Sequence, residues 1–152
     1  MENESSAGLQ FIFLALFLIP AILFLISQQN TLKTISPGNR LMRPGEVWFQ
    51  LIPLFGIVWQ FFVVTRIAGS IQNEYRTMQE ISFLGTGNGE MITTPSTRPT
   101  FGAGIAYCIL FCASIIPLLG GIFAFAGIIL WIIYWVELVK QKNKLQRMIL
   151  AA

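Results

Sequence analysis

Apolar and polar positions alternate along the chain in long blocks rather than in short periods. Residues 9–26 form an apolar run without a charge, rich in Phe and Leu, and at roughly 1.5 Å per helical residue it matches a bilayer's hydrocarbon core. A polar connection follows, and its Ser36-Pro37-Gly38-Asn39 carries turn chemistry. A second run, 47–67, is free of acids and bases except for Arg66. Pro44 and Glu46 are start signals at its head, since the first helical turn tolerates a missing N–H and favours a carboxylate. Pro53 and Gly56 predict a kink over Ile52 to Gly56, with a broken, unwound turn as the alternative.

Beyond that run Ile67, Ile71, Tyr75 and Met78 recur at steps of four, four and three among polar residues, which predicts an amphipathic helix continuing the second span. Residues 85–100 are rich in Gly, Thr and Pro without periodicity and read as a flexible loop. Two further apolar segments, 103–119 and 120–139, meet at Pro117 to Gly121 and predict a tight hairpin. Residues 140–152 form a basic tail. Ile-Pro-Leu-x-Gly occurs twice, at Ile52 to Gly56 and at Ile116 to Gly120, a match too short to establish duplication by itself.

The pattern predicts an all-α fold: a single integral membrane helical bundle, residues 1–152, with four transmembrane helices. Composition agrees, with 55% hydrophobic and 11% charged residues and a mean hydropathy of +0.67, outside the usual soluble range. The acidic N-terminal flank, Glu2 and Glu4, is unlike the basic start of a secretory signal. In the four-span arrangement Arg66, Arg76, Arg98, Lys140, Lys142, Lys144 and Arg147 share one side, and Lys33, Arg40 and Arg43 the other. Both termini are therefore expected in the cytoplasm. The flanks of the first helix alone favour the opposite, as does a three-span arrangement with a re-entrant hairpin.

Asn39-Arg40-x-Met42-x-Pro44-Gly45-x-Val47-Trp48, followed by Leu51-Ile52-Pro53-x-Phe55 and Trp59-x-Phe61-x-Val63-Val64, resembles a group of bacterial membrane proteins classed as a domain of unknown function. Ile132-Ile133-Tyr134-Trp135 is similar to their ending. The resemblance runs from Asn39 to about Leu145 and implies a bacterial inner-membrane location without implying an activity. Gly56 departs from the group, which often carries Asn there.

Catalytic chemistry is sparse. The chain has no His and no Asp, which removes imidazole bases, imidazole metal ligands and any Ser-His-Asp arrangement. No catalytic residue, cofactor or metal is expected. Cys108 and Cys112, four apart on one helix face, suit packing better than a disulfide. The seven glutamates all fall outside the centres of the apolar runs, against an ion-coupled carrier. Gln50 and Gln60 are expected to make interhelical hydrogen bonds.

Trp48, Ile52, Phe55, Trp59 and Phe62 make one helical stripe, and Gly120, Ala124 and Gly127 a small-residue face. Together with Asn39, Arg40 and Pro44 these are the expected contacts for a partner or lipid. Trp131, Tyr134 and Trp135 are expected to anchor at the membrane interface. The favoured reading is a non-enzymatic accessory subunit of a bacterial inner-membrane complex, with membrane lipids and other membrane subunits as partners and no nucleic acid. The alternative is a small transporter or channel using the Pro53 to Gly56 break. A lipid enzyme built on Glu46 or Glu74 with Arg40 or Arg43 is the least favoured.

Overall fold

The computed structural model describes residues 2–85, 98–116 and 119–151; side chains at 2–11, 13, 14, 17, 83–85 and 151 lie outside that description. The described residues are all-helical. They form α1 (Glu2–Thr34), α2 (Phe55–Gly85), α3 (Phe101–Ala113) and α4 (Gly120–Ala151), with 3-10 helices at Pro37–Asn39 and Pro44–Leu51 between α1 and α2. Pro20 sits inside α1 without ending it. Most of the expected loop, residues 86–97, lies outside the described residues, as do Pro117 and Leu118 of the expected hairpin turn.

Two of the expected spans differ from the structure. The apolar run 47–67 is not one helix. Ile52, which precedes proline, takes an extended conformation at φ −75° and ψ 117°, because the Pro53 ring disfavours helical geometry in the residue before it. Leu54 then turns the chain with a φ of 64°, and α2 begins at Phe55. The expected kink is thus a reversal. Where 103–119 is expected to span, the described helix is α3, Phe101–Ala113, whose 13 residues at ~1.5 Å per residue reach about 20 Å against a hydrocarbon core of ~30 Å. Among the described residues two helices, Phe55–Ser82 and Gly120–Leu150, are long and apolar enough to cross a membrane, where the sequence predicts four spans.

Contacts along the chain define the direction of each element. Residues 36–51 descend between α1 and α2, antiparallel to both. Asn39 meets Thr77, Leu41 meets Ser70, and Glu46 meets Trp59 on one side; Arg40 meets Ile35, Trp48 meets Gln29, and Gln50 meets Gln28 on the other. The third long helix, α4, runs parallel to α1 and α2, placing Trp135 against Ser27 and Gln141 against Tyr75. Antiparallel to it, α3 puts Gly104 beside Tyr134 and Gly127 beside Leu110 and Phe111. Three long parallel helices are therefore joined by two short descending returns.

The ends of the two returns share two contacts. A Cβ on Gly56 would overlap the carbonyl of Gln50, and a Cβ on Gly120 would overlap the carbonyl of Ser114, each six residues earlier. The amides of Ile52 and Ile116 likewise donate to the carbonyls three residues back, Phe49 and Ala113. The first and last residues of the repeated Ile-Pro-Leu-x-Gly thus make matching contacts in both returns, and its glycines are needed because backbone packs where a side chain would stand.

Packing falls into two clusters. Ile67, Ile71 and Tyr75 are fully buried with Leu32, Val47, Leu138 and Leu145, and Met78 packs against them. The amphipathic stripe of α2, which is continuous to Gly85, thus faces the protein. Nearer the other end Phe24, Val64, Tyr107, Cys108 and Tyr134 form the second cluster, with Trp131 and Trp135 against it.

Candidate functional site

The descending segment and its braces form the most elaborate polar arrangement among the described residues. Glu74 is buried, and its carboxylate accepts hydrogen bonds from the Ser36 N–H (3.1 Å), the Ser36 hydroxyl (2.7 Å) and the Asn39 amide (2.7 Å). The Asn39 amide also donates to the Thr77 hydroxyl at 3.1 Å. A carboxylate deprived of water is costly unless its lone pairs are filled, and here the tight turn after α1 fills them with neutral donors. Glu74 therefore holds the head of the descending segment on α2.

The next residues are fastened by backbone carbonyls. Arg40 donates from Nε to the Ile35 carbonyl (2.8 Å) and from an Nη to the Lys33 carbonyl (3.1 Å), where a helix leaves acceptors without intrahelical partners. Arg66 donates to the Leu41 carbonyl at 2.9 Å, and the Leu41 N–H donates to the Ser70 hydroxyl at 2.8 Å. Further down, the Gln50 amide donates to the Gln28 side-chain oxygen (2.6 Å) and the Val47 carbonyl (3.1 Å). Gln50 thus makes the interhelical bond expected of it. The Trp59 indole donates to the Glu46 carbonyl at 2.8 Å.

Two of the expected contact faces change. Trp48 lies on the 3-10 helix and donates to Gln29 at 3.4 Å, so it leaves the helical stripe. Its place is taken by Phe49, edge-on to Trp59 with centroids 5.7 Å apart; Phe55 stacks on Trp59 at 5.1 Å and Phe62 lies at 5.9 Å. Phe49, Phe55 and Phe62 are 46%, 44% and 49% exposed, and Ile52 is exposed beside them. Pro44, half-buried, starts the 3-10 helix. The small-residue face is used internally: Gly120 accommodates the Ser114 carbonyl, Gly127 takes the Phe111 ring, and Ala124 is half-buried.

Of the three residues expected as interfacial anchors, Tyr134 is in the core, while Trp131 and Trp135 are half-buried and pack against the same cluster. Tyr134 is fully buried, 5.3 Å from the Tyr107 ring, while Trp131 and Trp135 pack edge-on around Phe24. The Trp135 indole donates to the Ser27 hydroxyl at 2.9 Å. The descending α3 and α1 close over this part of α4, so its aromatic residues face inward. The Tyr107 and Tyr134 hydroxyls are buried without a hydrogen-bond partner among the described residues.

Sequence reasoning did not single out Glu74, Ser36, Ser70 or Thr77 as a group. Their pairing with Asn39 and Leu41 spans 29 to 38 residues, and no local spacing carries it. Cys108 is buried and both cysteines are free thiols. Among the described residues no three acidic or cysteine side chains gather where they could hold a metal ion. Comparison with known proteins finds no matching family model, no matching curated protein and no matching solved structure.

Proposed function

We propose that the chain is a non-enzymatic, multi-pass protein of a bacterial inner membrane, and that it serves as an accessory subunit docking laterally against another membrane protein. The observation that carries this reading is the preformed aromatic ladder of Phe49, Trp59, Phe55 and Phe62, apolar, partly exposed and braced by the Trp59 to Glu46 hydrogen bond. Rigid aromatic side chains lose little conformational freedom on docking and present large contact areas.

The membrane setting is supported by what the bundle leaves outside. Only 17% of the most apolar window of α4 is buried, whereas the core helix of a water-soluble protein would bury most of it. Ile122 and Phe125 of α4 are 68% and 69% exposed, and Ile12 and Leu16 of α1 are 64% and 65% exposed. Charge points the same way. Lys33, Arg40, Arg43, Arg66, Arg76, Arg98, Lys140, Lys142, Lys144 and Arg147, all ten basic residues of the chain, are on the half of the bundle where α1, α2 and α4 end. That end is cytoplasmic by the positive-inside rule. With the apolar run of α1 as a third crossing beside α2 and α4, the start of α1 is outside, the orientation that its flanks alone favour, and 36–54 and α3 are re-entrant.

Two experiments test this. In a variant lacking both native cysteines, an impermeant thiol reagent added to intact cells should label Asn3→Cys and leave Gly38→Cys and Asn143→Cys unlabelled until the cells are opened. Labelling of all three from one side refutes the topology. Purification from native membranes in mild detergent should give a particle of fixed stoichiometry with a second membrane protein, lost with Phe55→Ala/Phe62→Ala. A lone protein that conducts solute in liposomes would instead favour the transporter reading, which rests on the break at Ile52 to Leu54.

A further inference from the structure

We propose that Arg40, Arg43 and Arg66 form a binding site for a phosphate-bearing ligand, the phosphodiester of an anionic phospholipid headgroup or free phosphate. They line one cavity of about 340 Å³ together with Leu41, Met42 and Glu46, at the lower end of the roughly 300–1,000 Å³ usual for small-molecule sites. Three arginines and one glutamate line it, an excess of two positive charges in a depression walled by the descending segment and α2.

The site is built rather than incidental. Arg40 spends Nε and one Nη donor on the Ile35 and Lys33 carbonyls, and Arg66 one Nη donor on the Leu41 carbonyl. Each guanidinium carries five donors in a rigid fork. The backbone thus fixes both groups while leaving donors free for a ligand. Arg43 is exposed and carries no such anchor among the described residues, so it is free to close on an anion. Planar, charge-assisted donors in this arrangement match phosphate oxygens.

Position favours a lipid as the source. The cavity lies at the end of the bundle where the basic residues gather, and the exposed Leu41 (47%) borders it. A headgroup phosphate would meet the arginines while its acyl chains followed the apolar outer face of α2. Glu46 limits the excess charge and disfavours a dianion, which favours a diester. The lipid source rests on the membrane reading above; the affinity for phosphate does not.

The test measures binding of phosphatidylglycerol and of phosphatidylcholine to the detergent-purified full chain by native mass spectrometry, with inorganic phosphate as a separate titrant. Arg43→Ala should weaken phosphatidylglycerol binding about tenfold, the loss of one charge-assisted contact. Arg147→Ala, which removes the same charge from the tail, should change it less than twofold, and Glu46→Gln should tighten it. Inorganic phosphate binding that is lost with Arg43→Ala, without preference for phosphatidylglycerol, would identify free phosphate as the source. Equal weakening by Arg43→Ala and Arg147→Ala, or no preference for either anion over phosphatidylcholine, would overturn the site. Carbonate extraction of the protein from native membranes would separately refute the membrane reading and leave the phosphate measurement standing.

Discussion

Replacing Glu74 is the sharpest test of how the descending segment is held. Glu74→Ala removes an acceptor shared by the Ser36 N–H, the Ser36 hydroxyl and the Asn39 amide. A hydrogen bond to a charged group contributes ~1.5–3 kcal/mol, but these donors are only partly buried and water recovers some of the loss, which leaves a net cost of about 3 kcal/mol. Glu74→Gln keeps the shape and one carbonyl acceptor, and the Ser36 hydroxyl can rotate to accept from the new amide, so its cost is about 1 kcal/mol. The readout is amide hydrogen exchange in detergent, resolved by peptide. Protection of 36–51 should fall roughly a hundredfold in Glu74→Ala and less than tenfold in Glu74→Gln, at about 1.4 kcal/mol per tenfold. The α3–α4 hairpin, which makes none of these bonds, should keep its protection. Unchanged exchange over 36–51 in Glu74→Ala, or an equal loss across both regions, would refute the reasoning.

Other substitutions separate the turns from the helices they join. Gly56→Ala should cost about 2 kcal/mol or more in thermal unfolding, because its Cβ meets the Gln50 carbonyl, whereas Gly121→Ala, with nothing within 4 Å, should be neutral or stabilise by about 0.5–1 kcal/mol; equal effects would dismiss the turn geometry. Leu54→Gly should raise stability by about 1 kcal/mol, since Leu54 is 82% exposed at a φ of 64° and a non-glycine residue there is strained by roughly that amount; a lower unfolding midpoint would contradict the strain. Tyr134→Phe should change stability by less than about 1 kcal/mol, because the buried hydroxyl makes no hydrogen bond of good geometry among the described residues; a larger loss would contradict this.

Much of the fold was legible from local pattern. The apolar runs, the step of four, four and three from Ile67 to Met78, and the Ser-Pro-Gly-Asn turn report on backbone conformation and on which face a helix hides, and they act over a few residues. The glycines of the two Ile-Pro-Leu-x-Gly turns were visible, while the reason for them, a carbonyl six residues earlier, was not. Pro53 predicts a kink, with a broken helix as the alternative, because proline in a long apolar run most often bends a helix; the extended Ile52 and the positive φ of Leu54 make it a break and a reversal.

What the tertiary structure alone decided is direction and partnership. Asn39 and Arg40 stand out in the sequence, but that Asn39 is held by Glu74 and Thr77, and that Arg40 sits with Arg66 around one cavity, depends on residues 36–51 descending between α1 and α2. Tyr134 and Trp135 looked like interface residues because an aromatic side chain that packs in a core and one that sits at a membrane boundary read alike in sequence. In a chain this apolar the outward and inward faces are both hydrophobic, so periodicity loses its usual contrast. Side chains pairing across 29 or 38 residues are brought together by packing, which no local spacing encodes.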